Sequence, residues 1–134
     1  MNQKLKEIIE SSKFRIEPGN YVYAKVSKTP NLEDCFMISK DKDEITAVLE
    51  EKKLSKIVIF EKNKDLYKLF ELKVSLPFYA VGFLAAVTEA ISSEGMNNLL
   101  ISTYSKDYVL VRIEHEQKAK EALLKLGFKE EENG

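Results

Sequence analysis

Two residues in the second half of the chain have types and positions suited to holding a small charged ligand. Gly82 stands at the head of a segment of helical periodicity, Phe83-Leu84-Ala85-Ala86-Val87. Asp107 opens a β-rich run, Asp107-Tyr108-Val109-Leu110-Val111. A helix N-terminus offers unpaired backbone N–H groups and a partial positive charge, which suit a carboxylate. A glycine there lets a ligand approach the amides of Phe83 and Leu84 closely. An aspartate at the start of a strand, where that residue type is depleted, can receive an ammonium. Together the two can serve a small zwitterionic ligand, one end each. Each also has a purely structural reading: Gly82 permits a turn after Pro77, and Asp107 caps the Tyr104-Ser105-Lys106 turn.

Other residues able to do chemistry lack the company they need. His115 is the only histidine. It sits in Glu114-His115-Glu116 with no nucleophile beside it, so it reads as a solvated capping residue at a helix start. Cys35 is the only cysteine; flanked by Phe36, Met37 and Ile38, it reads as a small hydrophobe in a buried strand. No metal site is expected from so few soft or imidazole ligands, no phosphate-cradling glycine loop is present, and no cofactor is expected. Arg15 and Arg112 are the only arginines, and neither lies in a recognisable phosphate loop. The Glu130-Glu131-Glu132 run reads as a solvated tail.

The elements that must position Gly82 and Asp107 follow from periodicity. Leu5 to Ser11 suits a short helix. Tyr21 to Val26 alternates as a half-buried strand, and Thr29-Pro30-Asn31 breaks it. Cys35 to Ser39 and Glu44 to Leu49 are β-rich runs joined by Lys40-Asp41-Lys42-Asp43, a composition suited to a hairpin turn. Ile57-Val58-Ile59-Phe60 reads as a continuous apolar strand. Lys68 to Val74 alternates, with Phe70, Leu72 and Val74 on one face, and Pro77 closes the strand region. Phe83, Leu84, Val87 and Ile91 recur at helical spacing, with Gly95 as terminator. Leu99 to Thr103 and Asp107 to Ile113 are strands. Ala119, Ala122, Leu123 and Leu126 mark a final helix stopped by Gly127.

The second half thus reads β-α-β-β-α, a split βαβ, ferredoxin-like pattern without its last strand. An open edge beside a buried strand needs covering. Phe14-Arg15-Ile16, crossing from the N-terminal half, is one source; a second subunit is the other. The segment Lys129 to Gly134 reads as too acidic and too short to pack well.

Composition bounds the partners. The chain has 134 residues, 44% hydrophobic and 32% charged, an ordinary globular balance. Lys and Arg total 21 against 22 Asp and Glu, for a formal net charge of −1. Phosphate contacts need a basic excess, so no nucleic-acid partner is expected. The N-terminal MNQKLKEIIESSK has no apolar core followed by a cleavage site. The run from Val74 to Thr88 falls short of a membrane span. A cytoplasmic protein without membrane association is expected.

The segments Val81-Gly82-Phe83-Leu84 and Ile101-Ser102-Thr103-Tyr104-Ser105-Lys106-Asp107-Tyr108-Val109-Leu110-Val111 resemble the ACT domain, a small ligand-binding βαββαβ module of amino-acid-responsive regulators. With Asp43-Glu44-Ile45-Thr46 in the first half, the chain resembles the compact tandem-ACT proteins. The resemblance implies an α+β fold of two ferredoxin-like, ACT-type units packed together, with antiparallel sheets and helices on one face. It divides the chain into 1–65, whose first helix is reduced, and 66–134. It also implies a non-enzymatic regulatory protein that binds a free amino acid or related small zwitterion between its units, and that forms a homodimer. The ligand residues it implies are Val81, Gly82, Phe83, Leu84, Thr103, Tyr104 and Asp107, with Glu44 and Thr46 from the first unit closing the pocket. Phe83 stands where a smaller aliphatic residue is usual, which reshapes that pocket. Other functions fit a chain of this topology: a dimerisation module without ligand, or a single-stranded RNA binder. The hairpin lacks the basic, aromatic pattern that RNA binding needs. A small acylphosphatase-like hydrolase has the least support.

Overall fold

The computed structural model describes residues 1–74 and 81–132. In chain order these form α1 (Gln3–Glu10), β1 (Lys13–Ile16), β2 (Tyr21–Val26), β3 (Met37–Lys40), β4 (Ile45–Glu50), β5 (Ile59–Lys62), β6 (Tyr67–Lys73), α2 (Phe83–Ser92), β7 (Leu99–Ser102), β8 (Asp107–Arg112), α3 (Glu116–Leu126) and β9 (Lys129–Glu130). Short 3-10 turns occupy Leu32–Asp34, Glu51–Lys56 and Ile113–His115. Pro77, expected to close the strand region, lies outside the described residues. The chain divides into two units, Met1–Pro18 with Lys68–Gly134, and Gly19–Tyr67. The N-terminal helix and strand therefore join the C-terminal half, where the division into 1–65 and 66–134 placed them with the first.

In the larger unit the sheet order is β7-β8-β6-β1-β9. β1 pairs antiparallel with β6, Phe14 opposite Leu72 and Ile16 opposite Phe70. Phe14-Arg15-Ile16 thus occupies the fourth-strand position that the β-α-β-β-α order leaves open. Phe14 is fully buried, and its ring meets Phe70 at 5.9 Å and Phe128 at 6.5 Å. Those contacts explain why this strand is held there, since a buried aromatic contributes more than any other single side chain to a core. The residues after Lys129 depart from expectation. β9 pairs parallel with β1 and so extends the sheet. The acidic run is tolerated because Glu130 meets Lys120 at 2.9 Å and Glu131 is in direct contact with Lys73. Phe128, 2% exposed, ties the segment to the core.

Alternation along the strands sets one face of this sheet against the helices. Phe70, Leu72, Val109 and Val111 form one cluster with Leu5 and Ile9 of α1, Phe83, Val87 and Ile91 of α2, and Ala119, Ala122 and Leu123 of α3. The helical members recur at three- and four-residue spacing, the single apolar stripe a helix needs to cover a sheet. On the opposite face Leu69, Glu71, Tyr108 and Leu110 are buried as well.

The smaller unit has the strand order β3-β4-β2-β5, every pair antiparallel. This is the strand order of a split βαββαβ sheet, with a 3-10 turn standing where each helix would be. The cause is local. Thr29-Pro30-Asn31 interrupts the first connection, and the second, Glu51–Lys56, places only Leu54 against the core. Helices this short, without an apolar stripe, are marginal. Val22, Ala24 and Val26 meet Ala47 and Leu49 in the core. The β3–β4 turn closes on Asp41, whose Oδ1 accepts from the N–H groups of Asp43 at 2.8 Å and Glu44 at 3.0 Å.

Two expectations for this unit are corrected. Cys35 is half-buried in the bend after Leu32–Asp34, ahead of the strand rather than in it. The run Ile57–Phe60 is not one continuous strand. The strand starts at Ile59 and pairs only with β2 among the described strands, so Val58 is 54% and Phe60 67% exposed. The Lys25 ammonium lies 5.0 Å above the Phe60 ring.

Candidate functional site

α2 begins without a side-chain cap. Gly82 occupies its N-cap position with φ +89° and ψ 0°, a left-handed conformation that costs an L-residue energy and costs glycine little. A serine, threonine or aspartate cap would occupy the first amides of the helix; Gly82 makes no side-chain cap bond, and the first helical bond runs from the Ala86 N–H to the Gly82 carbonyl at 2.9 Å. The amides of Phe83 and Leu84 thus precede the first internal bond. Among the described residues, a Cβ on Gly82 would meet Leu5 Cδ2 at 3.5 Å.

Asp107 opens β8, half-buried, opposite Ser102. The Ser102 hydroxyl donates to Asp107 Oδ1 at 2.6 Å, so the hairpin holds one carboxylate oxygen, and among the described residues no hydrogen bond reaches Oδ2. The turn between them is closed by Thr103, whose N–H donates to the Lys106 carbonyl at 2.8 Å. The Thr103 hydroxyl donates to the same carbonyl and accepts from the Lys106 N–H, both at 3.2 Å.

The fold brings these two features to one end of the sheet. Phe83 packs edge-on against Phe128 with ring centroids 5.9 Å apart. Phe128 precedes Lys129, which pairs with Lys13, itself opposite Lys73 at the end of β6. Lys106 and Tyr108 reach Glu71, near that same end, each at 3.5 Å from Oε1. No hydrogen bond joins Gly82 to Asp107.

The remaining expected residues fall into three groups. Val81 and Tyr104 are each 90% exposed. Phe83 is buried in the core, which explains how a large ring is accommodated at that position: its bulk points into the helix–sheet layer. Leu84 is half-buried against the same core. Glu44 and Thr46 belong to the smaller unit. Glu44 is exposed, 4.0 Å from the Lys25 ammonium, and lines a shallow cleft of about 300 Å³ with Lys25, Lys42 and Phe60. Thr46 lies in β4 opposite Lys25 and Ser39. A cleft of about 240 Å³ on the larger unit, between the C-terminal halves of α2 and α3 at Ala90, Ser93 and Ala122, takes in none of the motif residues.

Sequence reasoning missed Glu71. Only 5% exposed, it lies in β6 with Lys106 and the Tyr108 hydroxyl on Oε1, and with Lys73 3.7 Å from Oε2, which accepts no hydrogen bond. Burial, and then the neighbouring Glu71 and Glu17 carboxylates, push the Tyr108 phenol above its ordinary value. The available signal was a lone glutamate inside the apolar run Leu69-Phe70-Glu71-Leu72. His115 is also corrected: it stands at the N-cap of α3 but makes no capping bond, and its buried Nδ1 has no hydrogen-bond partner. Burial, and then Asp34, push the Cys35 thiol up, which disfavours the nucleophilic thiolate. Among the described residues, no group of three or more His, Cys, Asp or Glu side chains is placed to hold a metal. No helix among them is long and apolar enough to cross a membrane.

Residues 64–125 match the family model of the ACT domain. That span takes in β6, α2, β7, β8 and most of α3, and so both Gly82 and Asp107. No curated protein matches the chain. Among solved structures, a protein of unknown function from Vibrio cholerae, described as a possible transport protein, has a TM-score of 0.79 at 25% identity, covering 93% of this chain and 97% of that one. A protein from Agrobacterium tumefaciens has a TM-score of 0.73 at 20% identity, covering 90% and 92%. The regulatory subunit of aspartate kinase from Thermus flavus has a TM-score of 0.56 at 13% identity, covering 85% and 96%.

Proposed function

We propose that the chain is a non-catalytic regulatory protein whose larger unit binds a free amino acid between the start of α2 and Asp107. The observation that carries this reading is the uncapped helix start at Gly82, brought to the same end of the sheet as Asp107. The helix end supplies N–H groups and partial positive charge for a carboxylate; Asp107 supplies an open carboxylate oxygen for the ammonium. The ACT family match over these residues and the likeness in fold to a regulatory subunit support the regulatory role. The smaller unit, with the same strand order and shortened connections, fits a second, reduced copy of the module. Edge strand β7 pairs only with β8 among the described residues and exposes Leu100, which suits association with a second copy.

Binding regulates by favouring the conformation that holds the ligand. A thermal-shift screen against the proteinogenic amino acids tests the reading. Ligand at a hundredfold over its Kd adds about 2.7 kcal/mol of stability, a rise of roughly 5–15 °C in Tm for a domain of this size. A chain that responds to none of them is not an amino-acid sensor, and a dimerisation module without ligand becomes the reading. Titrations on Glu44→Gln and Thr46→Val report whether those residues contribute.

A further inference from the structure

Charged side chains of the larger unit form a row on the sheet face away from the helices. Phe70 and Leu72 of β6 pack with the helices, so Glu71 and Lys73, out of phase with them, share the other face. The Lys106 ammonium, from the turn before β8, stands 3.5 Å from Glu71 Oε1. Lys73 stands 3.7 Å from Glu71 Oε2 and is in direct contact with Glu131, just after β9. The row runs from the β7–β8 turn to the outermost strand, across β8-β6-β1-β9.

The two ends of the row are held unequally. Glu71 is buried and its Oε2 accepts no hydrogen bond. A buried carboxylate needs a compensating charge, which Lys106 and Lys73 supply. Arg15, opposite Glu71 on β1, places its Nη1 3.9 Å from Glu17. At the other end, β9 is two residues long. The Lys129 N–H donates to the Ser12 carbonyl at 3.1 Å, and the Glu131 N–H to the Phe14 carbonyl at 2.8 Å. So short an outer strand opens locally at low free energy.

Lys73 is shared between these ends. Its contact with Glu131, and after it the Glu71 charge, push its ammonium above the ordinary value. With Lys106 in place, Glu71 leaves Lys73 to Glu131. With Lys106 withdrawn, the match for the buried carboxylate falls to Lys73, which already approaches the open Oε2.

We infer that Lys73 exchanges between Glu131 and Glu71, so that displacing Lys106 from Glu71 loosens β9 from the edge of the sheet. A change at the Thr103–Lys106 turn is thereby felt on the far side of the sheet, whether or not a ligand binds at α2.

Amide hydrogen exchange of the full chain, followed by NMR at the Lys129 and Glu131 N–H groups, reads the coupling. Lys106→Met should speed both by up to about fivefold, the factor an exposed ion pair supplies. Glu71→Gln removes the buried charge, so adding Lys106→Met to it should change neither rate. Lys73→Met should speed the same two amides and leave Lys106→Met without further effect. Unchanged exchange at both amides in Lys106→Met overturns the relay. So does an acceleration that persists with Glu71→Gln or adds fully to that of Lys73→Met, because it would bypass the shared lysine.

Discussion

Gly82→Ala separates the conformational role of this glycine from its role in binding. The native φ of +89° lies in the left-handed region, where an L-residue costs about 1–2 kcal/mol. Among the described residues the added methyl meets Leu5 Cδ2 at 3.5 Å, ordinary van der Waals contact, so none of them adds a clash to that cost. For a chain of this length, about 1–2 kcal/mol corresponds to a fall in Tm of roughly 3–10 °C. The methyl also adds bulk at the residue directly before the Phe83 and Leu84 amides, so ligand-dependent stabilisation should fall. Gly82→Asn is the partner variant: asparagine visits the left-handed region at lower cost, so stability should lie nearer that of the native protein while binding is still weakened. Urea denaturation with and without the best amino acid from the screen reads both quantities at once. If either variant keeps the native ligand response, the carboxylate does not sit at this helix start. A loss above about 4 kcal/mol would exceed what backbone strain supplies and would mark Gly82 as a packing residue.

Three further outcomes follow from particular contacts. Phe14→Ala should cost about 3–5 kcal/mol, because Phe14 is fully buried between Phe70 and Phe128; a loss below about 1 kcal/mol in denaturant unfolding would show that β1 does not complete the sheet of the larger unit. Glu71→Gln should move the Tyr108 phenol toward its ordinary value, since the Glu71 charge is one of the causes holding it up; absorbance titration of the tyrosines, with Tyr108→Phe identifying the band, checks the direction. The Lys73–Glu131 pair has a two-sided pH dependence. Contact with Lys73 lowers the Glu131 carboxyl, so its contribution is present above about pH 4.3 and is lost as pH falls through the lowered value. Contact with Glu131 raises Lys73, so that contribution is present below about pH 10.4 and is lost as pH rises through the raised value. Both side chains are about a third exposed and the effect is small; Tm against pH for Lys73→Met should fall below the native curve only inside this window.

Much of the fold was legible because its signals are local. The alternation at Phe70, Leu72 and Val74 and the helical stripes at Phe83–Ile91 and Ala119–Leu126 encode element type directly, since period follows from backbone geometry. Gly82 and Asp107 were legible for the same reason: each is an unfavourable residue type for its element unless a turn, a cap or a ligand uses it. Local pattern misled at Ile57–Phe60, where a continuous apolar run predicts burial but the strand stands at an edge and exposes Val58 and Phe60. It misled again at Glu130–Glu131, whose charges are matched by Lys120 and Lys73 from other elements.

Tertiary structure alone decided what depends on residues far apart in the chain. That Phe14-Arg15-Ile16, and not a second subunit, lies beside β6 is a long-range pairing, and no spacing within either segment specifies its partner. The burial of Glu71 beneath Lys106 and Tyr108 was equally hidden, because a lone glutamate in a strand reads as the solvated face until the rest of the fold covers it. The sequence by itself determined the helix and the hairpin that carry Gly82 and Asp107, two ends that the family resemblance joins into a candidate clamp. Only the folded chain brought those ends to one side of the sheet and left Val81 and Tyr104 exposed beside them, because strand order and helix packing are set by how the whole core is buried.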